Sequence, residues 1–447
     1  MKSLLIKGGR VIDPSRNLDD TADILISNGS VEAVGKNLKN SSEAEVINAD
    51  GLVVTPGLID MHVHLRDPGQ EYKEDLFSGS RAAAAGGFTA VAAMANTDPV
   101  GDDPSLINYI QDRSRHAAAR IYPVGALTKG LGGKEMAELG RMKKAGAVAF
   151  SDDGKPVVNS MIMRNALHYA TGIDALIIVH EEDPFLAAGG MMHEGSVSSI
   201  LGLRGIPAAA EEVMLARDLI ILKITGGRLH IAHVSTAGSV ELVRRAKSEG
   251  LQITAEVTPH HLLLTDRAIK NSGYSTNTKV NPPLRSEHDR QALWEGLLDG
   301  TIDAIVSDHA PHHPDDKDVE YDFAPCGIAG LETTLSLMLD EYSSGRIKKL
   351  GLPLLIEKMS TAPAGILGIP GGTLQPGSPA DLTLIDLNRT MTVNPSDWYS
   401  KSRNTPFAGR RLTGVPICTI VGGRIVMKEG VVTDYGQQQQ AARMPGN

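Results

Sequence analysis

Two histidines stand one residue apart in "GLIDMHVHLRDPG", His62 and His64, at the end of an apolar run that follows a Thr55-Pro56 turn. In an extended strand, residues two apart project to the same side, so both imidazoles reach one place. Alone, such a pair reads more readily as two satisfied histidines near a core. Further on, His180 ends "ALIIVH", His233 ends "LHIAH" and Asp308 ends "DAIVSD", each the first strong ligand type after a β-branched run. Neutral imidazole with carboxylate is the donor set that zinc and its neighbours prefer. "FSDDG" follows the apolar "GAVAF", and one of its two aspartates, Asp152 or Asp153, is a candidate bridge between two metals. Two cations sharing a carboxylate and a hydroxide acidify the water, polarise a carbonyl and hold the resulting oxyanion. Asp308 can then bind one metal and carry a proton from the hydroxide to a leaving nitrogen.

Arg66 lies two residues beyond His64 and continues the same face, where its fork of donors suits a carboxylate held bidentately. Asn96 in "AMANT" and Asn281 in "NPPLR" follow extended segments, where an amide either reads a substrate or caps a loop. His260 and His261 in "TPHH" read as structural or supporting groups. Of His309, His312 and His313 only some can face a substrate. His116, His168, His193, His230 and His288 receive no role.

These side chains need a scaffold that brings several strand ends together. Strand-like runs alternate with helical stretches from Gly57 onward: "FTAVAAMANT", "ARIYPVGAL", "AVAFSDDG", "ALIIVHEED", "RLHIAHVST", "QITAEVTPHH", "DAIVSDHAPH". About eight strand–helix units with no obvious sheet edge predict an α/β fold of the (β/α)8 barrel type, whose active sites form at the carboxyl ends of the strands. Short strands with Gly, Asn-Gly or Pro punctuation occupy both chain ends, which predicts a composite β-sandwich built from residues 1–55 and 366–432 around a barrel of residues 56–365. Residues 433–447, "GQQQQAARMPGN" among them, read as a disordered tail. The excess of 53 acidic over 44 basic residues, a net charge of −9, argues against a nucleic-acid or anionic-membrane partner and for a small molecule. Cys326 and Cys418 are the only cysteines, too few for a disulfide framework or a cysteine zinc site and in keeping with a reducing cytoplasm. The opening "MKSLLIKGGRVID" breaks its apolar run at Lys7, so neither a signal peptide nor a membrane span is expected and a soluble cytoplasmic location is.

The series "DMHVHLRDPG", "MANTDP", "FSDDG", "VHEED", "AHVST", "AEVTPHHLLL", "NPPLR", "SDHAPH", "CGIAGLE", "ADLTLIDL" and "NTPFAG" resembles, in order and over nearly the whole chain, the bacterial class I dihydroorotases of the amidohydrolase superfamily. The resemblance implies reversible cyclisation of N-carbamoyl-L-aspartate to L-dihydroorotate in pyrimidine biosynthesis, with one or two zinc ions per subunit. It implies one zinc on His62, His64 and Asp308 and another on His180 and His233, with Asp153 bridging and Asp308 as general acid/base. It further implies Arg66, Asn96 and His312 at the substrate carboxylate, Asn281 at the ring and the Cys326-Gly327 backbone at the dihydropyrimidine edge, with His64 also counted among the substrate-binding residues. Where the family commonly has "MPNT" this chain has "MANT", so Ala95 removes a rigid backbone constraint beside Asn96 but no ligand. A homodimer and association with aspartate carbamoyltransferase are further expectations. Two rival readings are a related cyclic amidase (dihydropyrimidinase, hydantoinase or allantoinase) and a non-catalytic scaffold for aspartate carbamoyltransferase. The first would use a carbamylated lysine where this chain has Ser151-Asp152-Asp153; the second would be expected to have lost ligands that this chain keeps.

Overall fold

The computed structural model describes residues 3–39 and 44–433. Eight parallel strands follow one another in chain order: Leu58–Val63, Phe88–Ala93, Arg120–Gly125, Ala149–Ser151, Leu176–Val179, Arg228–Ile231, Ile253–Val257 and Ala304–Ile305. The first and last are joined by a parallel bridge between Val63 and His309 and by His64 N–H donating to His309 O at 2.8 Å. Beneath that seam the buried Asp60 carboxylate accepts from Ser307 N–H at 3.0 Å and from His62 N–H at 3.1 Å. The sheet therefore closes into the expected barrel.

Alternation along the strands sorts their side chains into two layers. Ile177, Val179, Leu229, Ile231, Ile253, Ala255 and Val257 join the large apolar layer shared with the helices. Their neighbours Ile178, Ala232 and Ala304 join a second cluster rich in small residues, with Ala90, Ala92 and Ala149. Small side chains there leave room inside the barrel for a polar layer of Asp60, His62, His230 and Glu256, all fully buried. Ala364, Ile366 and Leu367 complete the same cluster, and Ile366 O accepts from the Arg228 guanidinium at the start of the sixth strand. That helix, Ala362–Leu367, thus closes the end of the barrel opposite the histidines.

The chain ends meet as the strand patterns predict. Leu382–Ile385 pairs antiparallel with Val53–Pro56, which knits both ends into one nine-stranded sheet. Leu4, Ile6, Ile24, Ile26, Val54, Leu382, Leu384 and Ile420 give that sheet a core of its own. The "SNGS" turn between Leu18–Ser27 and Ser30–Gly35 holds Asn28 at φ +50° and Gly29 at +80°, the double positive φ that a two-residue hairpin requires and that Asn-Gly supplies at least cost. Of the expected tail, residues 434–447 lie outside the described residues. No helix among the described residues is long and apolar enough to cross a membrane.

Candidate metal centre

Each ligand-type side chain sits where a barrel strand stops. His62 is the penultimate residue of the first strand and His64 follows its end; Asp153 comes two residues after the fourth strand, His180 directly after the fifth, His233 two after the sixth and Asp308 three after the eighth. The exits are sharp, with His233 at φ +33°, Asp308 at +45° and Arg66 at +60°. Left-handed backbone costs a non-glycine residue about 1–3 kcal/mol, and such strain gathers at functional sites. It also corrects the reasoning offered for Arg66: the strand has ended by then, and a left-handed turn rather than strand alternation brings the guanidinium over the histidines.

The Asp153 carboxylate is shared between two pairs of imidazoles. Its Oδ2 lies 3.4 Å from Nε2 of His62 and 3.4 Å from Nε2 of His64, while its Oδ1 lies 3.4 Å from His233 Nε2 and 3.8 Å from His180 Nδ1. Asp308 Oδ1 joins the first pair, 3.2 Å from His64 Nε2 and 3.7 Å from His62 Nε2. In the second pair His180 Nδ1 and His233 Nε2 face one another at 3.0 Å. Donors about 2.0–2.2 Å from a tetrahedral cation stand roughly 3.3 Å apart, so these separations suit two adjoining metal positions with Asp153 common to both. His62 Nε2 and Asp153 Oδ1 are buried without a hydrogen-bond partner among the described residues. Such orphaned atoms are costly unless a cation takes their lone pairs, and on that ground the residues present fit a metal.

Asp152 and Asp153, which the sequence leaves as alternatives, have separate tasks. Asp152 turns away and accepts from the backbone N–H groups of Leu127 at 2.9 Å and Thr128 at 2.8 Å, and from the Thr128 hydroxyl. Asp153 alone enters the cluster, its own N–H held by Ser151 Oγ at 3.0 Å.

Behind the ligands, hydrogen bonds fix which ring nitrogen faces the cluster. His62 Nδ1 meets Glu256 Oε1 at 2.6 Å and His64 Nδ1 meets Asn96 Oδ1 at 2.9 Å, so each ring donates outward and keeps its Nε2 lone pair for the site. Glu256 also binds His230 Nε2 at 3.0 Å and accepts from His233 N–H at 3.3 Å. Burial opposes its ionisation, but His62 and His230 outweigh that and bring its pKa down to about 2. Burial likewise opposes ionisation of Asp153 and Asp308, yet His62 beside the first and His64 beside the second hold both below the usual carboxylate range.

The cluster floors a cleft of about 280 Å³ lined by His64, Arg66, Asn96, Asp153, Gly154, His180, His233, Asn281, Asp308, Ala310, His312, Cys326 and Gly327. Every residue implicated by the sequence is on that wall except His62, which lies fully buried beneath it. Burial lowers the Arg66 pKa to about 10, against the pull of Asp308 and Asp153, so the guanidinium is charged at neutral pH. Burial and then the Arg66 charge push His312 down to about 2, and its Nε2 donates to Cys326 O at 2.9 Å. The Gly327 N–H is committed to Lys279 O at 2.9 Å. Gly327 itself has φ +147°, and a side chain there would strike Ala310 O.

Other histidines stay out of the cleft. His261 spans Thr258 Oγ1 at 2.8 Å and Pro282 O at 2.9 Å, which steadies the loop bearing Asn281, and His260 packs against its ring. His309 contacts Glu74 at 3.1 Å, and His313 sits partly exposed at the start of Pro314–Lys317. Sequence reasoning passed over Glu256, His230 and Asp60. Their signal was a charged or imidazole residue inside an otherwise apolar strand, which only closure of the barrel turns into a supporting layer.

A family model described as "Dihydro-orotase-like" matches residues 51–239. A protein of Pelotomaculum thermopropionicum named "Dihydroorotase" is 54% identical over 96% of this chain and 99% of its own length. Those of Geotalea daltonii and Geobacter metallireducens, named likewise, are each 52% identical over 95% of this chain and cover 99% and 100% of their own lengths. Among solved structures, the L-hydantoinase (dihydropyrimidinase) of Arthrobacter aurescens superposes with a TM-score of 0.87 at 29% identity over 97% of this chain and 98% of that one. The dihydropyrimidinase of Brevibacillus agri, at 23% identity and a TM-score of 0.83 over 96% of both chains, shares the fold.

Proposed function

The chain belongs to the dihydroorotase family, and from that premise we propose that its barrel-mouth cleft interconverts N-carbamoyl-L-aspartate and L-dihydroorotate, a step of pyrimidine biosynthesis. The observation that carries the reading is a charged guanidinium, Arg66, on the wall of the same cleft that Asp153 and Asp308 floor. A cyclic amide bearing its own carboxylate fits that pairing.

The cation we assign is zinc: His62, His64 and Asp308 would hold one ion and His180 and His233 a second, with Asp153 in reach of both sets. When bound there it supplies Lewis acidity and an acidified water. The protein's own groups supply orientation and proton traffic. Arg66 takes the substrate carboxylate with paired donors. Asn96, whose Oδ1 is occupied by His64, has its Nδ2 left for the same carboxylate. His312 lines the same wall and is assigned to the carboxylate's other side, where a bound anion works against a pKa that burial first and the Arg66 charge second hold down. Asn281 Nδ2 stands 3.3 Å from His180 Nε2 while its Oδ1 has no partner among the described residues. With His180 Nδ1 turned into the cluster, Nε2 carries the proton and needs an acceptor; a half-turn of the amide delivers Oδ1 to it and frees Nδ2 for the ring. Asp308, held as a carboxylate on the cleft floor, takes the proton of the attacking water in ring opening and returns it to the leaving nitrogen. Cyclisation runs the same transfers backward.

The hydantoinase-like reading has the fold neighbours in its favour but lacks its bridging group. No lysine lines the cleft among the described residues. Lys143 and Lys144 sit on the helix Leu139–Ala145, where the Lys143 ammonium donates to Ile173 O at 2.5 Å. Domain boundaries at 56–365 for the barrel and 1–55 with 366–432 for the sheet belong to the same proposal and are supported by the pairing of Val53–Pro56 with Leu382–Ile385. The test is an assay of purified, metal-loaded protein against carbamoyl aspartate, dihydrouracil, hydantoin and allantoin. The proposal expects efficient turnover of the first alone; preference for an uncharged ring overturns it.

A further inference from the structure

Residues 400–404, "SKSRN", come from the C-terminal part of the chain, more than ninety positions beyond the last barrel strand, yet the side chains of Ser402 and Asn404 reach the back of the cleft wall. Asn404 is almost fully buried, with 4% of its surface exposed. Its Nδ2 donates to Ala310 O at 3.1 Å and to Gly327 O at 2.8 Å. Its Oδ1 accepts from His312 N–H at 3.2 Å and from the Ser402 hydroxyl, and its own backbone O accepts from Ala329 N–H at 2.8 Å. The Ser402 hydroxyl, which lies 2.9 Å from His312 O and accepts from His312 N–H at 3.1 Å, has one proton for that carbonyl and Asn404 Oδ1 to share.

One amide thus uses both of its donors and its acceptor on two separate strips of the cleft wall. The first strip carries Ala310 and His312, the second Cys326 and Gly327. The strips also meet directly, through the His312 Nε2 bond to Cys326 O, a parallel bridge between His309 and Ile328 with Ala310 N–H donating to Ile328 O at 2.9 Å, and the packing of Gly327 on Ala310. Neither the cluster ligands nor Arg66 touches Asn404 in any hydrogen bond described above, so its effect on the site passes through the wall and not through the metal positions.

We propose that Asn404 is a positioning residue for turnover, a buried clamp that sets the spacing between His312 and the Cys326-Gly327 edge and so the width of the substrate seat. The inference rests on the dihydroorotase reading for the identity of the substrate. Asp at this position is isosteric and can still accept from His312 N–H, but it turns an oxygen toward Ala310 O and Gly327 O where the amide donated to both. The side-chain tie at the Ala310 and Gly327 carbonyls is then replaced by repulsion, and misplacement of a substrate wall by about 1 Å is expensive in rate.

The experiment compares N404D and N404S with the wild-type enzyme and with L384A, a cavity variant in the core of the distant sheet that lowers stability without touching the barrel. The clamp predicts that N404D and N404S raise KM for carbamoyl aspartate by about tenfold or more, with metal content at the wild-type level. L384A is expected to lower Tm and leave KM unchanged, since loss of folded protein reduces apparent kcat alone. N404S is read by the same criterion if N404D does not fold. A KM within about twofold of wild type in either folded Asn404 variant, or a KM that follows Tm equally in L384A, overturns the clamp. Failure of the functional reading looks different: the wild-type enzyme itself then prefers another cyclic amide, and the ratio of variant to wild-type KM for that amide still reads the clamp.

Discussion

Glu256 and His62 meet at 2.6 Å, carboxylate oxygen to Nδ1, in a layer with no exposure to solvent. The bond fixes the tautomer that points His62 Nε2 at Asp153, and the same carboxylate holds His230 and the backbone of His233. Glu256 therefore touches residues of both groups that meet at Asp153 without lining the cleft itself.

Replacing it tests that role. E256Q keeps the shape but weakens the acceptor, and E256A removes it. Metal affinity should fall about 10- to 100-fold, in the order wild type, Gln, Ala, while folded protein remains recoverable. Isothermal titration of stripped protein with zinc reads the order, and an unchanged affinity in E256A would remove Glu256 from the site's support.

Arg66 to Lys keeps the charge and loses the planar fork. KM for carbamoyl aspartate should rise by roughly tenfold or more with metal content unaltered. A KM equal to wild type would mean that the carboxylate is held elsewhere.

Asp308 to Asn removes the carboxylate assigned to proton transfer while Asn can still offer an oxygen to the first metal position. Steady-state rates in both directions should drop by roughly 10²- to 10⁴-fold. Retention of most of the wild-type rate would assign the proton to another group.

Glu332 supplies a pH-dependent term outside the cleft. Burial raises its pKa from the ordinary 4.5 to about 8, against the N–H of Ser400, which its Oε1 accepts at 3.0 Å. Because the folded value is the higher one, the stability it contributes is present in full below 4.5 and lost as pH rises through about 8. E332Q mimics the neutral form, so its Tm should exceed that of wild type above pH 8, by roughly 1 °C for each kcal/mol of relief in a chain of this length, and match it near pH 5. Parallel Tm curves from pH 5 to 9 would contradict this.

Much of the centre was legible in the sequence because barrel geometry puts strand ends together, and a ligand type closing a β-branched run marks such an end. His180, His233 and Asp308 are of that kind. Asp152 and Asp153 could not be separated on residue type, since the choice depends on which one finds the Leu127 and Thr128 N–H groups. Arg66 was found by an argument from strand alternation that its left-handed φ does not satisfy. Glu256 and His230 were hidden because a charged residue inside a strand has no local pattern; its partners are set by neighbouring strands. Asn404 was hidden for the strongest form of the same reason, its partners lying more than seventy residues earlier.

Turnover in the cleft should depend on metal held around Asp153. The most direct measurement is the rate of L-dihydroorotate formation from carbamoyl aspartate by one preparation before chelation, after removal of its metal, and after restoring zinc. Turnover should be lost on removal and return as up to two equivalents are added, with the fold unchanged by circular dichroism. Full turnover by protein shown by elemental analysis to contain no transition metal would contradict it.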